Sequence, residues 1–95
     1  MSDKAAAAFV ELCGRALYGE EWRIPLARAL EISPRTIFRI AHAAALGRGF
    51  PVPDGLLDDC FRLLVDRHSE IAEAIIGLRG YRNNVVKLVH SDPLP

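Results

Sequence analysis

The stretch Trp22-Arg23-Ile24-Pro25-Leu26-Ala27-Arg28-Ala29-Leu30-Glu31-Ile32-Ser33-Pro34-Arg35-Thr36-Ile37-Phe38-Arg39-Ile40-Ala41 decides how this 95-residue chain folds. It reads as two short helices joined by a tight turn. Ile24, Ala27 and Leu30 recur at helical spacing and predict an apolar stripe on the first helix, with Leu26 beside it. Ile32 is expected to be a buried turn residue. Ser33-Pro34 is a helix start: the hydroxyl accepts from backbone N–H groups of the next turn, and proline at the first helical position gives up no hydrogen bond. Ile37 and Ile40 face inward on the second helix. Arg35, Thr36, Arg39 and His42 are left pointing outward.

A short helix with two arginines and a small hydroxyl residue near its N-terminus, braced by another helix, suits the major groove of DNA. Arginine bonds bidentately to guanine edges, serine and threonine reach bases or phosphates, and the helix N-terminus favours a phosphate. On Leu17-Tyr18-Gly19-Glu20-Glu21-Trp22, Leu26-Ala27-Arg28-Ala29-Leu30 and Ser33-Pro34-Arg35-Thr36-Ile37-Phe38-Arg39, the chain resembles small bacterial and phage helix-turn-helix transcriptional regulators. The resemblance covers roughly residues 12–55. It implies a helix-turn-helix unit over 1–52 with residues 34–42 as the recognition helix. Two positions depart from the pattern. Glu31 stands where many such motifs have glycine, and a left-handed conformation there costs a non-glycine residue roughly 1 kcal/mol. Phe38 stands where such regulators often carry a polar or basic residue; it can touch a thymine methyl group or be covered by another part of the fold.

Composition narrows the class. Ninety-five residues with a 51% hydrophobic fraction make one small domain with an ordered core. No run of 18 apolar residues predicts a membrane span. The first ten residues lack the layout of a secretory signal, so a cytoplasmic location is expected. Cys13 and Cys60 are far apart in sequence and read as buried thiols in a reducing compartment, with nothing to support a disulfide. The net charge is +0, against indiscriminate nucleic-acid binding. The charge is nevertheless segregated: residues 23–53 carry Arg23, Arg28, Arg35, Arg39 and Arg48 against Glu31, net +4, whereas 54–76 carry Arg62 and Arg67 against six acids, net −4. The basic segment coincides with the proposed recognition unit, as phosphate contact requires. For the charge alone, a solvated face or pairing of these arginines with the acidic helix is the preferred reading; together with the motif, DNA contact is preferred.

Outward from the motif, residues 3–18 read as a helix capped by Ser2 or Asp3, with an apolar stripe at Phe9, Leu12, Cys13, Ala16 and Leu17 and a stop at Gly19. Gly14, mid-helix, permits a close helix crossing. Tyr18 and Trp22 are either donors to DNA phosphate or aromatics that lock the first helix onto the second; the core role is preferred for Trp22. Two glycines and two prolines make residues 47–53 a loop. Arg48 there is either a short arm along DNA or an ordinary loop arginine, and Phe50 and Val52 are expected to tuck against the core.

Residues 53–80 form the C-terminal helical segment. Leu57, Phe61, Leu64, His68, Ile71, Ile75 and Leu78 are spaced 4, 3, 4, 3, 4, 3, a heptad seam for a dimer or for the core, widened by Leu56, Cys60, Leu63, Val65, Ala72 and Ile76. The preferred reading is two helices meeting at Arg67-His68 with Ser69 as a cap, or one kinked helix. Residues 81–95 are a tail: a turn at residues 81–84, then Val85-Val86-Lys87-Leu88-Val89-His90 as a strand or short helix, then a frayed end.

No catalytic or metal chemistry is found. His42, His68 and His90 have no partner at ligand spacing, and adjacent Asp58 and Asp59 point about 100° apart on a helix. No enzymatic activity, cofactor or metal is expected. The expectation is therefore an all-α, homodimeric, sequence-specific binder of double-stranded DNA, most simply a transcriptional repressor. Arg35, Thr36, Arg39 and His42 would read bases, and Arg23, Arg28, Ser33 and Arg48 would contact phosphates. The alternative is a helical protein-interaction module, such as a phage-encoded inhibitor or adaptor, whose acidic face docks a basic partner.

Overall fold

The computed structural model describes residues 2–91, with side chains as far as Asn83. The fold is all-α, with no strand among the described residues. Helices α1 (Asp3–Tyr18), α2 (Arg23–Leu30), α3 (Pro34–Ala45) and α4 (Leu56–Ser91) follow in order, with a 3-10 turn at Gly19–Glu21. The chain divides into two units, residues 1–65 and 66–95. Residues 53–65, read from sequence with the C-terminal segment, thus group with the first unit.

Each end of α1 is closed as its sequence dictates. Ser2 Oγ accepts the Ala5 N–H at 3.2 Å. Gly19, at φ 75°, donates its N–H to the Arg15 carbonyl. The buried face, however, is Ala6, Ala7, Val10, Cys13 and Gly14. Phe9 and Leu12, expected in the stripe, are 49% and 61% exposed, and Ala16 is exposed too. At Gly14 the Trp22 ring lies directly on this face: a Cβ there would fall 2.6 Å from Trp22 Cδ2. Trp22 is fully buried, which excludes the phosphate role and leaves the core one. Its Nε1 has no hydrogen-bond partner among the described residues. Tyr18 is half-buried against the same cluster.

Helix α2 buries Leu26, Ala27 and Leu30, whereas Ile24, expected to lead the stripe, is exposed. At 100° per residue the three buried positions share one arc, and Ile24 lies outside it. The helix then ends at Glu31 in the left-handed conformation (φ 56°, ψ 41°), as the motif demanded of a non-glycine residue. Glu31 N–H donates to the Arg28 carbonyl at 3.1 Å, and Ile32 N–H to the Ala27 carbonyl at 3.0 Å. These crossed bonds define a Schellman closure, and the half-buried Ile32 packs beneath it.

Helix α3 starts as expected: Ser33 Oγ accepts the Arg35 N–H at 3.2 Å and Pro34 occupies the first position. Ile37, Ile40, Ala41 and Ala43 are buried. Its end repeats the closure of α2. Gly47, at φ 65°, donates to the Ala44 carbonyl at 3.1 Å, and Arg48 N–H to the Ala43 carbonyl at 2.8 Å. The loop that follows is tied to the start of α1. Phe50 N–H donates to the Asp3 carbonyl at 3.4 Å, and a Cβ at Gly49 would lie 3.0 Å from Asp3 Cβ. Phe50 and Val52 pack against the core, as expected.

The first turns of α4 complete the first unit by burying Leu56 and Cys60. Cys13 and Cys60 are free buried thiols; Cys13 Sγ donates to the Cys60 carbonyl at 3.6 Å. A side-chain hydrogen bond of the Cys60 thiol to Cys13, with burial, pushes the Cys60 thiol far above the ordinary thiol range. Helix α4 is one element: Ser69 is interior rather than a cap, the turn expected at residues 81–84 is helical, and residues 85–90 are helix rather than strand. Polar residues and isolated glycines cost helix propensity without supplying a stop, and no proline falls between Leu56 and Pro93. The tail residues 92–95 lie outside the described residues.

Candidate nucleic-acid interface

The site is built on the first three turns of α3. Arg35 and Arg39 are four residues apart and His42 follows three later, so one helix face carries all three. Each is exposed. Arg35, Phe38, Arg39, His42, Arg48 and Phe50 line one shallow surface concavity. The structure thus brings Arg48, from the loop, to three of the four residues expected to read bases. Its position follows from local bonding: the Schellman closure fixes the Arg48 backbone, and the Phe50–Asp3 bond holds the loop beyond it.

The other expected residues are placed differently. Thr36 is half-buried and does not line the concavity. The Ser33 hydroxyl is exposed and engaged in capping. Arg28 is exposed elsewhere on α2. Arg23 lies 5.5 Å from the Trp22 ring centroid, a cation–π contact, and lines a neighbouring concavity with Glu21, Ile24, Pro25 and Phe38. Phe38 is 49% exposed and borders both depressions. Of its two expected alternatives, cover by another part of the fold is not what the structure has. Phe50 is a residue of this site that the sequence reading assigned to the core alone; the Gly47-Arg48-Gly49 pattern was the available signal that the loop turns back.

The electrostatics are one-sided. Among the described residues the ion pairs are Arg15–Glu11, Arg62–Asp59 and Arg67–Glu70, each within one helix. None involves Arg23, Arg28, Arg35, Arg39 or Arg48, so the expectation that these arginines pair with the acidic helix is not met. No group of His, Cys, Asp and Glu among the described residues has the arrangement to hold a metal ion. The described helices include none long and apolar enough to cross a membrane.

The residues that α4 contributes separate by unit. In the first, Leu57 and Leu64 pack on the core while Phe61 is 68% exposed. In the second, His68, Ile71, Ile75 and Leu78 are all exposed. Compared with protein-family models, curated proteins and solved structures, the chain matches none of them.

Proposed function

We propose that this protein is a homodimeric, sequence-specific DNA-binding regulator that inserts residues 34–42 of α3 in the major groove and represses by occupancy. The observation that carries the reading is the exposed cluster of Arg35 and Arg39 on α3, His42 in its last turn and Arg48 in the loop after it, with no ion pair to any of the arginines among the described residues. Guanidinium groups that no carboxylate neutralises are available to phosphates and guanine edges without first breaking an internal pair. The α3 N-terminus adds partial positive charge on the same side. Arg35 and Arg39 are assigned to base readout with Thr36 and His42 secondary; Arg23, Arg28, Ser33 and Arg48 are assigned to phosphates.

A selection of binding sites from random duplexes tests this. Arg35→Ala is expected to lose about 1–3 kcal/mol and to relax the preference at one base pair. Uniform weakening across all sequences would make Arg35 a phosphate contact, and absence of any selected sequence with the folded wild-type chain would overturn the reading. The exposed Phe38 ring at the middle of the cationic surface favours the second reading, a helical module that docks a protein and does not read DNA.

A further inference from the structure

We propose that residues 66–83 of α4 pair antiparallel with the same segment of a second copy of this chain. The proposal rests on the homodimer part of the reading above and not on the reading of DNA.

Within the second unit the helix has no apolar cover among the described residues. Ile71, Ile75 and Leu78 are 52%, 46% and 63% exposed, and Ile76 and Tyr81 are about as open, at 68% and 67%. A single helix of this length is marginal in water, and Gly77 and Gly80 each weaken it further relative to alanine. Its order therefore calls for a partner that buries the Ile71, Ile75, Leu78 stripe.

The charge pattern names the partner and its direction. Residues 66–74 carry Asp66, Glu70 and Glu73 against Arg67, net −2; residues 75–83 carry Arg79 and Arg82 with no acid, net +2. A parallel copy sets like halves side by side. An antiparallel copy sets each acidic half beside a basic one, so the segment is complementary to itself only in that direction. The apolar register agrees. With the twofold axis near Glu73, Ile71 falls opposite Ile75 of the second copy and His68 opposite Leu78, the alternation of heptad layers that antiparallel helices use. Ala72 and Ala74 flank the seam at the crossing point, where small side chains let two helices approach closely.

Disulfide trapping in a glutathione redox buffer reads the orientation directly in the full chain. The native thiols are buried, so wild-type protein serves as the uncrosslinked control. The three substituted positions are exposed and leave the core untouched. Ala74→Cys, beside the axis, is expected to crosslink to itself. Arg67→Cys and Tyr81→Cys are expected not to self-crosslink, but to crosslink to each other when one of the two carries an affinity tag. Light scattering should give twice the 10.5 kDa chain mass. Self-crosslinking of all three variants, with no gain on mixing, would mean a parallel pair and overturn the proposal. A monomeric mass with no crosslink would assign the stripe to a different macromolecule and also overturn it. Crosslinking by a protein that binds no DNA would sink the DNA reading and leave this one standing.

Discussion

At Gly14 two preferences oppose each other. Alanine is the better helix former by up to about 1 kcal/mol, yet its Cβ would overlap the Trp22 ring. Overpacking of a closed core costs typically about 1–3 kcal/mol, so the clash wins. Gly14→Ala is expected to lower the thermal midpoint; a rise would mean that the ring moves aside without cost. Glu31 is the reverse case. Its left-handed backbone is the strained feature of the α2–α3 turn, and Glu31→Gly is expected to add roughly 1 kcal/mol, or about 4–8 °C in a domain of this size. An unchanged or lower midpoint would show that the Glu31 side chain offsets the strain. Both residues were legible in the sequence, Glu31 as a non-glycine in a glycine position and Gly14 as a site of close crossing. What Gly14 crosses was not legible, because the contact with Trp22 exists only after the chain has turned at Gly19.

Helix ends were read better than helix faces. Ser2, Gly19, Ser33-Pro34 and Gly47 act within four or five residues of themselves, so local chemistry fixes where α1 and α3 start and stop. Which side of α1 is buried depends on what lies across from it. Hydrophobic size pointed to Phe9 and Leu12; the buried side is instead Ala6, Ala7, Val10, Cys13 and Gly14, with the Trp22 ring against Gly14. On α2, Ile24 falls outside the arc of Leu26, Ala27 and Leu30 that is buried. On α4 the heptad spacing was visible, but a break was expected at residues 67–69 and a turn at 81–84, since capping and turn residues stand there. Continuous helical bonding prevailed over those weak signals. On α4, Ala74→Cys is expected to crosslink with itself and Arg67→Cys with Tyr81→Cys. This pattern depends on helical periodicity and charge order and on no single contact.

Across the whole chain, zero net charge conceals a strong partition. The basic residues 23–53 hold five arginines without an ion pair among the described residues, while the acids of 54–76 that are paired answer arginines on their own helix. Spacing along α3 revealed Arg35, Arg39 and His42 as one face. The arrival of Arg48 and Phe50 beside them required the loop to bond back to Asp3, a tertiary event with no sequence period. The proposed role of this surface is to bind duplex DNA. Its most direct test is the affinity of the full chain for the DNA upstream of its own gene, titrated over salt, with Arg35→Ala/Arg39→Ala alongside. Expected are a linear fall of log affinity with log salt in both proteins and, in the double variant, weaker binding with loss of sequence selectivity but a nearly unchanged slope, since Arg35 and Arg39 are assigned to bases and not to phosphates. Folded wild-type protein without affinity for this or any other duplex at low salt, or a double variant with unchanged affinity and selectivity, would overturn the DNA reading.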